Sequence, residues 1–221
     1  MDNLIPAGLL LASYLIGSIP FGYLIVCLTT GIDVRKVESG RTGGTNAMRA
    51  AGFWAGFATA FFDTLKGAGV TWLARWLLPG MPWIHILAPI LAVLGHNHSI
   101  FLLERTSAGK LRLRGGAGGA PALGGAVGLW APSILIILPL GALILFGIGY
   151  ASVTTMSVAI LTIGIFAVRA ALGYSPWLYV WYGVLAEVLL VLALLPNIKR
   201  LMNGTERLVG WRAKRKREKG A

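Results

Sequence analysis

The chain has 221 residues, 56% of them hydrophobic and 13% charged, with a mean hydropathy of +0.73. A soluble domain carries about 25% charged residues, and a chain of this size in water would have no polar cover for so much apolar surface; soluble folds are excluded and an integral membrane protein is expected. A net charge of +12, from 20 Lys and Arg against 8 Asp and Glu, reads at first like a nucleic-acid binder, but the placement of those charges argues otherwise.

Met1-Asp2-Asn3 lacks the basic residues of a cleaved signal peptide. The first apolar run, Leu4 to Leu28, is therefore expected to be a retained span. It contains the only cysteine, Cys27, so no disulfide framework and no cysteine metal site is expected. The run 52–78 is long enough to cross but holds Asp63, Lys66 and Arg75. Asp63 and Lys66, three apart, share a helix face, and charges inside a membrane are normally paired. An internal ion pair follows, either structural or lining a polar cavity. The run 83–103 carries no formal charge and three histidines. His96 and His98, two apart, do not share a helix face, and no metal site is expected. From Gly115 to Val168 there is no charged residue, and 177–195 completes the set with Glu187 inside it.

Seventeen of the 20 basic residues fall in three segments, 30–50, 103–116 and the tail after Pro196. The positive-inside rule places all three in the cytoplasm, so an even number of spans separates each pair. The uncharged stretch must then divide into three, near 117–130, 131–149 and 151–168. The expected fold is all-α, with seven transmembrane helices, the N-terminus outside and the C-terminus cytoplasmic. The 117–130 helix is short and is tolerated only if packed inside the protein. The expected organisation is a membrane domain over 1–196, with working loops at 30–50 and 103–120, followed by a basic tail over 197–221. Gly52-x-x-x-Gly56 and Gly124-x-x-x-Gly128 fit a close-contact pattern between helices, although 30 glycines make chance matches common.

The loops carry the chemistry. Asp33 to Arg49 reads DVRKVESGRTGGTNAMR. It joins hydroxyls, glycines and four basic residues, the set that a phosphate requires. The second loop ends in Arg114-Gly115-Gly116-Ala117-Gly118-Gly119 before an apolar helix. Such a turn aims backbone N–H groups and a positive helix end at one spot, but it lacks the Walker pattern. Gly95-His96-Asn97 lies nearby. The tail's run from Arg212 to Lys219 is polybasic beside a span and suits anionic lipid headgroups; nucleic acid is not expected as a partner.

Taken together, these residues resemble the bacterial acyl-phosphate-dependent glycerol-3-phosphate acyltransferases, the PlsY family. Gly17-Ser18-Ile19-Pro20-Phe21-Gly22 matches the end of its first helix. Asp33-Val34-Arg35, Ser39-Gly40, Gly43, Thr45-Asn46 and Arg49 match its first motif, usually G-S-G-N-x-G-A-T-N-x-x-R. Asp63-x-x-Lys66-Gly67 matches the second helix, and Gly95-His96-Asn97 with the glycine run matches the second motif. Asn197-x-Lys199-Arg200-Leu201 and Gly204-Thr205-Glu206 match the third. There are departures. Of the family's Lys-Gly-Gly-Lys-Gly, the first lysine is Arg114 here and the second is Ala117. The histidine of its His-Arg-Glu-Asn is Leu194, and the asparagine of its Ser-Gly-Asn is Arg41.

The resemblance implies transfer of a fatty acyl group from acyl phosphate to the 1-hydroxyl of glycerol 3-phosphate. Lysophosphatidate and phosphate leave, at the cytoplasmic face of a bacterial inner membrane. No cofactor is implied. Ser39, Thr45 and Asn46 would orient the substrates. Arg49 and Arg114, with Gly115, Gly116 and Gly118, would hold phosphate. His96 and Asn197 would support the hydroxyl or the loop. Arg41, Lys110 and Arg112 are the candidates to replace the missing lysine. The alternative is a relative with lost or altered activity that binds a phospholipid or another phosphorylated alcohol. A small transporter is the third reading, and no motif recurs to support it.

Overall fold

The computed structural model describes residues 4–106, 109–213 and 215. The protein is a bundle of helices with one β-hairpin. Helices α1 (Leu4–Ser18) and α2 (Phe21–Thr30) form one apolar rod broken at Ile19-Pro20. Proline lacks the N–H that would continue the ladder. The carbonyls freed by the break are bonded by side chains: Lys66 Nζ donates to Ile19 O at 3.1 Å, and Ser99 Oγ donates to Ser18 O. A broken helix survives in a membrane only when neighbours satisfy its backbone in this way.

A 3-10 turn (Val34–Lys36) and α3 (Gly44–Ala51) follow, then α4 (Phe53–Leu77) and α5 (Pro82–Asn97). Here the structure corrects the sequence reading. The apolar run to Leu103 does not continue as helix. It turns at His98 into strand β1 (Ser99–Arg105), paired antiparallel with β2 (Leu111–Arg114). Ser99 is fixed against the α1–α2 break by its bond to Ser18 O, and the ladder to β2 takes up the backbone groups of this segment.

The uncharged stretch holds α6 (Gly119–Leu129), a 3-10 turn (Ala131–Ser133), α7 (Ile134–Ile148) and α8 (Ala151–Ala171). The division near 131 and 150 is observed. Helix α6 begins at Gly119 rather than 117, because Gly118 takes a left-handed conformation, φ 87°. Helix α9 (Leu178–Met202) runs on through Pro196 and so carries Asn197, Lys199 and Arg200. Most of the basic run Arg212 to Lys219 lies outside the described residues, as do Ser107 and Ala108.

Among the described residues, four helical segments are long and apolar enough to cross a membrane: Leu4–Thr30, Ala131–Ile148, Ala151–Ala171 and Leu178–Met202. Gly119–Leu129 is a shorter apolar helix. Large apolar side chains such as Leu135, Leu143 and Ile160 are exposed, whereas Asp63, Lys66 and His96 are buried. Helix α6 lies against α4 at close range: a Cβ on Gly124 would collide with Thr64 O, and one on Gly128 with the Thr71 side chain. Gly56 makes a similar contact with α3, but Gly52 caps α3 and touches nothing. At the far end of α6, the Arg75 guanidinium donates to Gly128 O at 2.7 Å and Leu129 O at 3.2 Å.

Candidate active site

A cavity of about 300 Å³ opens at one end of the bundle, where loop 31–43, the turn into α6, the α7–α8 turn and the chain after α9 meet. The first wall is built by Asn46. It is buried, and its Nδ2 donates to Val34 O and Val37 O at 3.0 Å and to Arg41 O at 2.8 Å. Its Oδ1 accepts from Ser39 N at 3.4 Å. One amide thus gathers three carbonyls and an N–H, and the loop is wound around it. Asp33 starts this loop by capping the 3-10 turn and pairing with Arg35 at 2.8 Å; the Arg35 guanidinium holds its carboxyl below the usual range. Ser39, Arg41 and Thr45 are thereby presented at the cavity edge.

The second wall is the glycine run. A Cβ on Gly116 would overlap the His96 imidazole, and one on Gly115 would strike the His96 and Asn97 backbone. Gly116 N donates to His96 O at 2.9 Å. These two glycines therefore lie flat on the end of α5, behind the cavity. Gly118 and Gly119 line it. The first turns of α3 and α6 both border the cavity, so two positive helix ends converge there.

The floor holds two ionisable groups, Asp63 and His96. Lys66 joins them from behind, with its Nζ 2.9 Å from both Asp63 Oδ1 and His96 Nδ1. A lysine ammonium has only protons to give, so Nδ1 accepts and the imidazole proton sits on Nε2, beside Gly116. His96 Nδ1 also lies 3.4 Å from Asp63 Oδ1, so the carboxylate has both the ammonium and the imidazole beside it.

The roof comes from α9 and the chain beyond it. Asn197 Nδ2 donates to Glu206 Oε1 at 2.8 Å, and Arg200 Nε donates to Glu206 Oε2 at 3.2 Å. Arg207 pairs with Glu38 at 3.1 Å. Val209 N donates to Gly149 O at 2.8 Å and Trp211 Nε1 to Phe146 O at 2.9 Å, strapping this segment onto the α7–α8 turn. Arg41 and Arg49 both line the cavity, and neither meets a carboxylate among the described residues. Burial is the main reason that both guanidiniums are held below the usual arginine range; Arg200 adds to it at Arg41, and Arg207 at Arg49, where Glu38 opposes it. Half-buried positive charge with no carboxylate in contact among the described residues favours an anion in the cavity.

The family model described as glycerol-3-phosphate acyltransferase matches residues 7–204. The chain belongs to the glycerol-3-phosphate acyltransferase family. It is 37% identical over 215 residues to a glycerol-3-phosphate acyltransferase of Thermus thermophilus, covering 92% of this chain and 95% of that one. With the glycerol-3-phosphate acyltransferase of Rubrobacter xylanophilus the identity is 35% over 205 residues, covering 93% and 96%. The fold is similar to the crystal structure of PlsY (YgiH), an integral membrane glycerol 3-phosphate acyltransferase, in its glycerol 3-phosphate form. There the TM-score is 0.79 at 29% identity, covering 93% of this chain and 96% of that one. Its lysophosphatidic acid form gives a TM-score of 0.78 at 28% identity, covering 93% of this chain and 95% of that one.

Within the family's motifs, Ser39, Thr45, Asn46 and Arg49 meet at the cavity with His96, Gly118 and Asn197. Arg114 does not line it. Its Nε bonds Glu104 across the hairpin, while its Nη1 lies against Gly40 of the first loop. Gly115 and Gly116 are packing residues, as described above. The sequence reading did not single out Glu206, Arg207, Ser152 or Thr155 as site residues, yet all four line the cavity. The available signals were weak: an acid within the third motif, and hydroxyls at the start of a helix in an uncharged stretch. Both departures, Ala117 and Leu194, face the same cavity.

Proposed function

We propose that this protein transfers a fatty acyl group from acyl phosphate to the 1-hydroxyl of glycerol 3-phosphate, releasing lysophosphatidate and inorganic phosphate. The observation that carries the reading is one cavity in which two helix N-termini converge with two arginines that meet no carboxylate among the described residues. Both proposed substrates bear phosphate. Among the described residues, no cysteine lines the cavity and Ser39 has no histidine partner, its Oγ accepting from Arg41 N. Positioning and electrostatic stabilisation therefore supply the rate. In the step, the glycerol hydroxyl oxygen bonds to the acyl carbon and the C–O bond to phosphate breaks. The hydroxyl proton passes to a phosphate oxygen. Arg49 and the Gly118–Gly119 amides hold phosphate, while Ser39 and Thr45 orient the reacting groups. Asn46 acts by fixing the loop.

In this reading the bundle crosses a bacterial cell membrane seven times, with the cavity facing the cytoplasm and the N-terminus outside. The run of α6 from the cavity at Gly119 to Arg75 at the opposite end supports a short crossing. The basic tail would lie against anionic lipid. Ala117 and Leu194, both in the cavity, favour one second reading: a relative that binds a phosphorylated alcohol without transfer. Purified protein given acyl phosphate and glycerol 3-phosphate decides between them. Phosphate release that stops in Ser39→Ala supports transfer. No turnover from folded protein, with acyl-CoA also inert, overturns it.

A further inference from the structure

Ala117 and Leu194 line the cavity at the two positions where the motif resemblance implies a lysine and a histidine. Three cations were open as replacements. Lys110 and Arg112 are exposed on the hairpin and do not line the cavity. Arg41 does. Of its five N–H donors, one donates to Ala193 O on α9, the residue before Leu194. This contact brings the guanidinium to the side where the histidine is missing. No carboxylate pairs with it among the described residues.

Arg41 is also not a duplicate of Arg49. Arg41 is tied to α9 through Ala193 O, whereas Arg49 is carried by α3. The cavity thus has two positive poles. We propose that Arg41 is the cation of a second phosphate subsite on the α9 side of this cavity, replacing the charge that the family carries at position 117. It binds the phosphate dianion of one substrate while Arg49 binds that of the other. This rests on the cavity being the substrate site, and it adds the residue that keeps a divergent member competent.

The test titrates inorganic phosphate, and separately glycerol 3-phosphate, into the purified full-length protein in detergent by calorimetry. It then compares Michaelis constants for acyl phosphate and glycerol 3-phosphate. Losing one charge-assisted contact predicts that Arg41→Gln weakens phosphate binding about ten- to a hundredfold, with Arg41→Lys in between. The melting temperature should change little, since the uncharged Gln strands no buried charge. The Michaelis constant that rises identifies which substrate's phosphate sits there. Ala117→Lys placed in the Arg41→Gln background should recover most of the loss. Lys110→Ala and Arg112→Ala should change nothing. Phosphate affinity within about twofold of wild type in Arg41→Gln overturns the proposal, as does a loss of affinity in Arg41→Gln that Ala117→Lys leaves unrepaired. A wild type that binds phosphate but transfers nothing would sink the acyltransferase reading and leave the Arg41 subsite standing on the titration.

Discussion

Lys66→Met removes the ammonium that ties the cavity floor to the helix break. In the native protein, Lys66 Nζ lies 2.9 Å from Asp63 Oδ1, 2.9 Å from His96 Nδ1 and 3.1 Å from Ile19 O. The side chains of Lys66 and Asp63 are 2% and 1% exposed. Methionine fills the volume but leaves the buried Asp63 carboxylate with only the His96 Nδ1 3.4 Å away, and a freed carbonyl at the α1–α2 break. Removing one partner of a buried ion pair costs about 3–5 kcal/mol. At about 2–4 °C per kcal/mol for a chain of this size, the melting temperature falls roughly 6–20 °C. Thermal unfolding in detergent measures it. The double variant Asp63→Asn/Lys66→Met removes both charges and should be more stable than Lys66→Met alone, since the cost lies mainly in the stranded carboxylate. A Lys66→Met protein that melts within about 2 °C of wild type, or a double variant showing the plain sum of its parts, would refute the reasoning.

Glu206 bonds both Asn197 and Arg200. Glu206→Ala should free them and lower kcat/KM about tenfold, the worth of one charge-assisted hydrogen bond; an unchanged kcat/KM would show that the roof is not needed. Arg49→Ala should raise the Michaelis constant for glycerol 3-phosphate at least about tenfold, whereas Arg114→Ala, which breaks a half-exposed pair with Glu104, should move it less than about threefold. The reverse order would return Arg114 to the site. Gly124→Val drives a side chain into Thr64 O and should destabilise the bundle by about 2 kcal/mol. Gly164→Ala, with open space around it, is the silent control, read by the same thermal unfolding.

The helices were legible because a membrane rewards simple composition. The apolar runs and the clustering of charge at their ends are one-dimensional features, and the breaks near 131 and 150 followed from them. The hairpin was not legible. Ser99 to Leu103 is as apolar as a helix end, and only its partner strand and the Ser18 carbonyl decide otherwise. The site shows the same divide. Residue types in the two loops pointed to phosphate, and the buried Asp63–Lys66 pair was visible from spacing alone. The direction in which each arginine faces was not visible. Arg114 stands next to the glycine run in sequence, yet its Nε is taken by Glu104, ten residues earlier, and its Nη1 rests against Gly40. Arg41 looked like a lost asparagine, yet Asn46 closes the loop so that it faces the cavity.

This difference bears on how a divergent member should be read. Position by position, Ala117 and Leu194 look like losses. The cavity is a single electrostatic volume, and a phosphate responds to the field inside it rather than to the position that supplies the charge. A lysine on the glycine run and an arginine on the facing loop reach the same space from opposite walls. The losses at 117 and 194 and the gain at 41 are then one coupled change, and their effects on substrate binding should be non-additive.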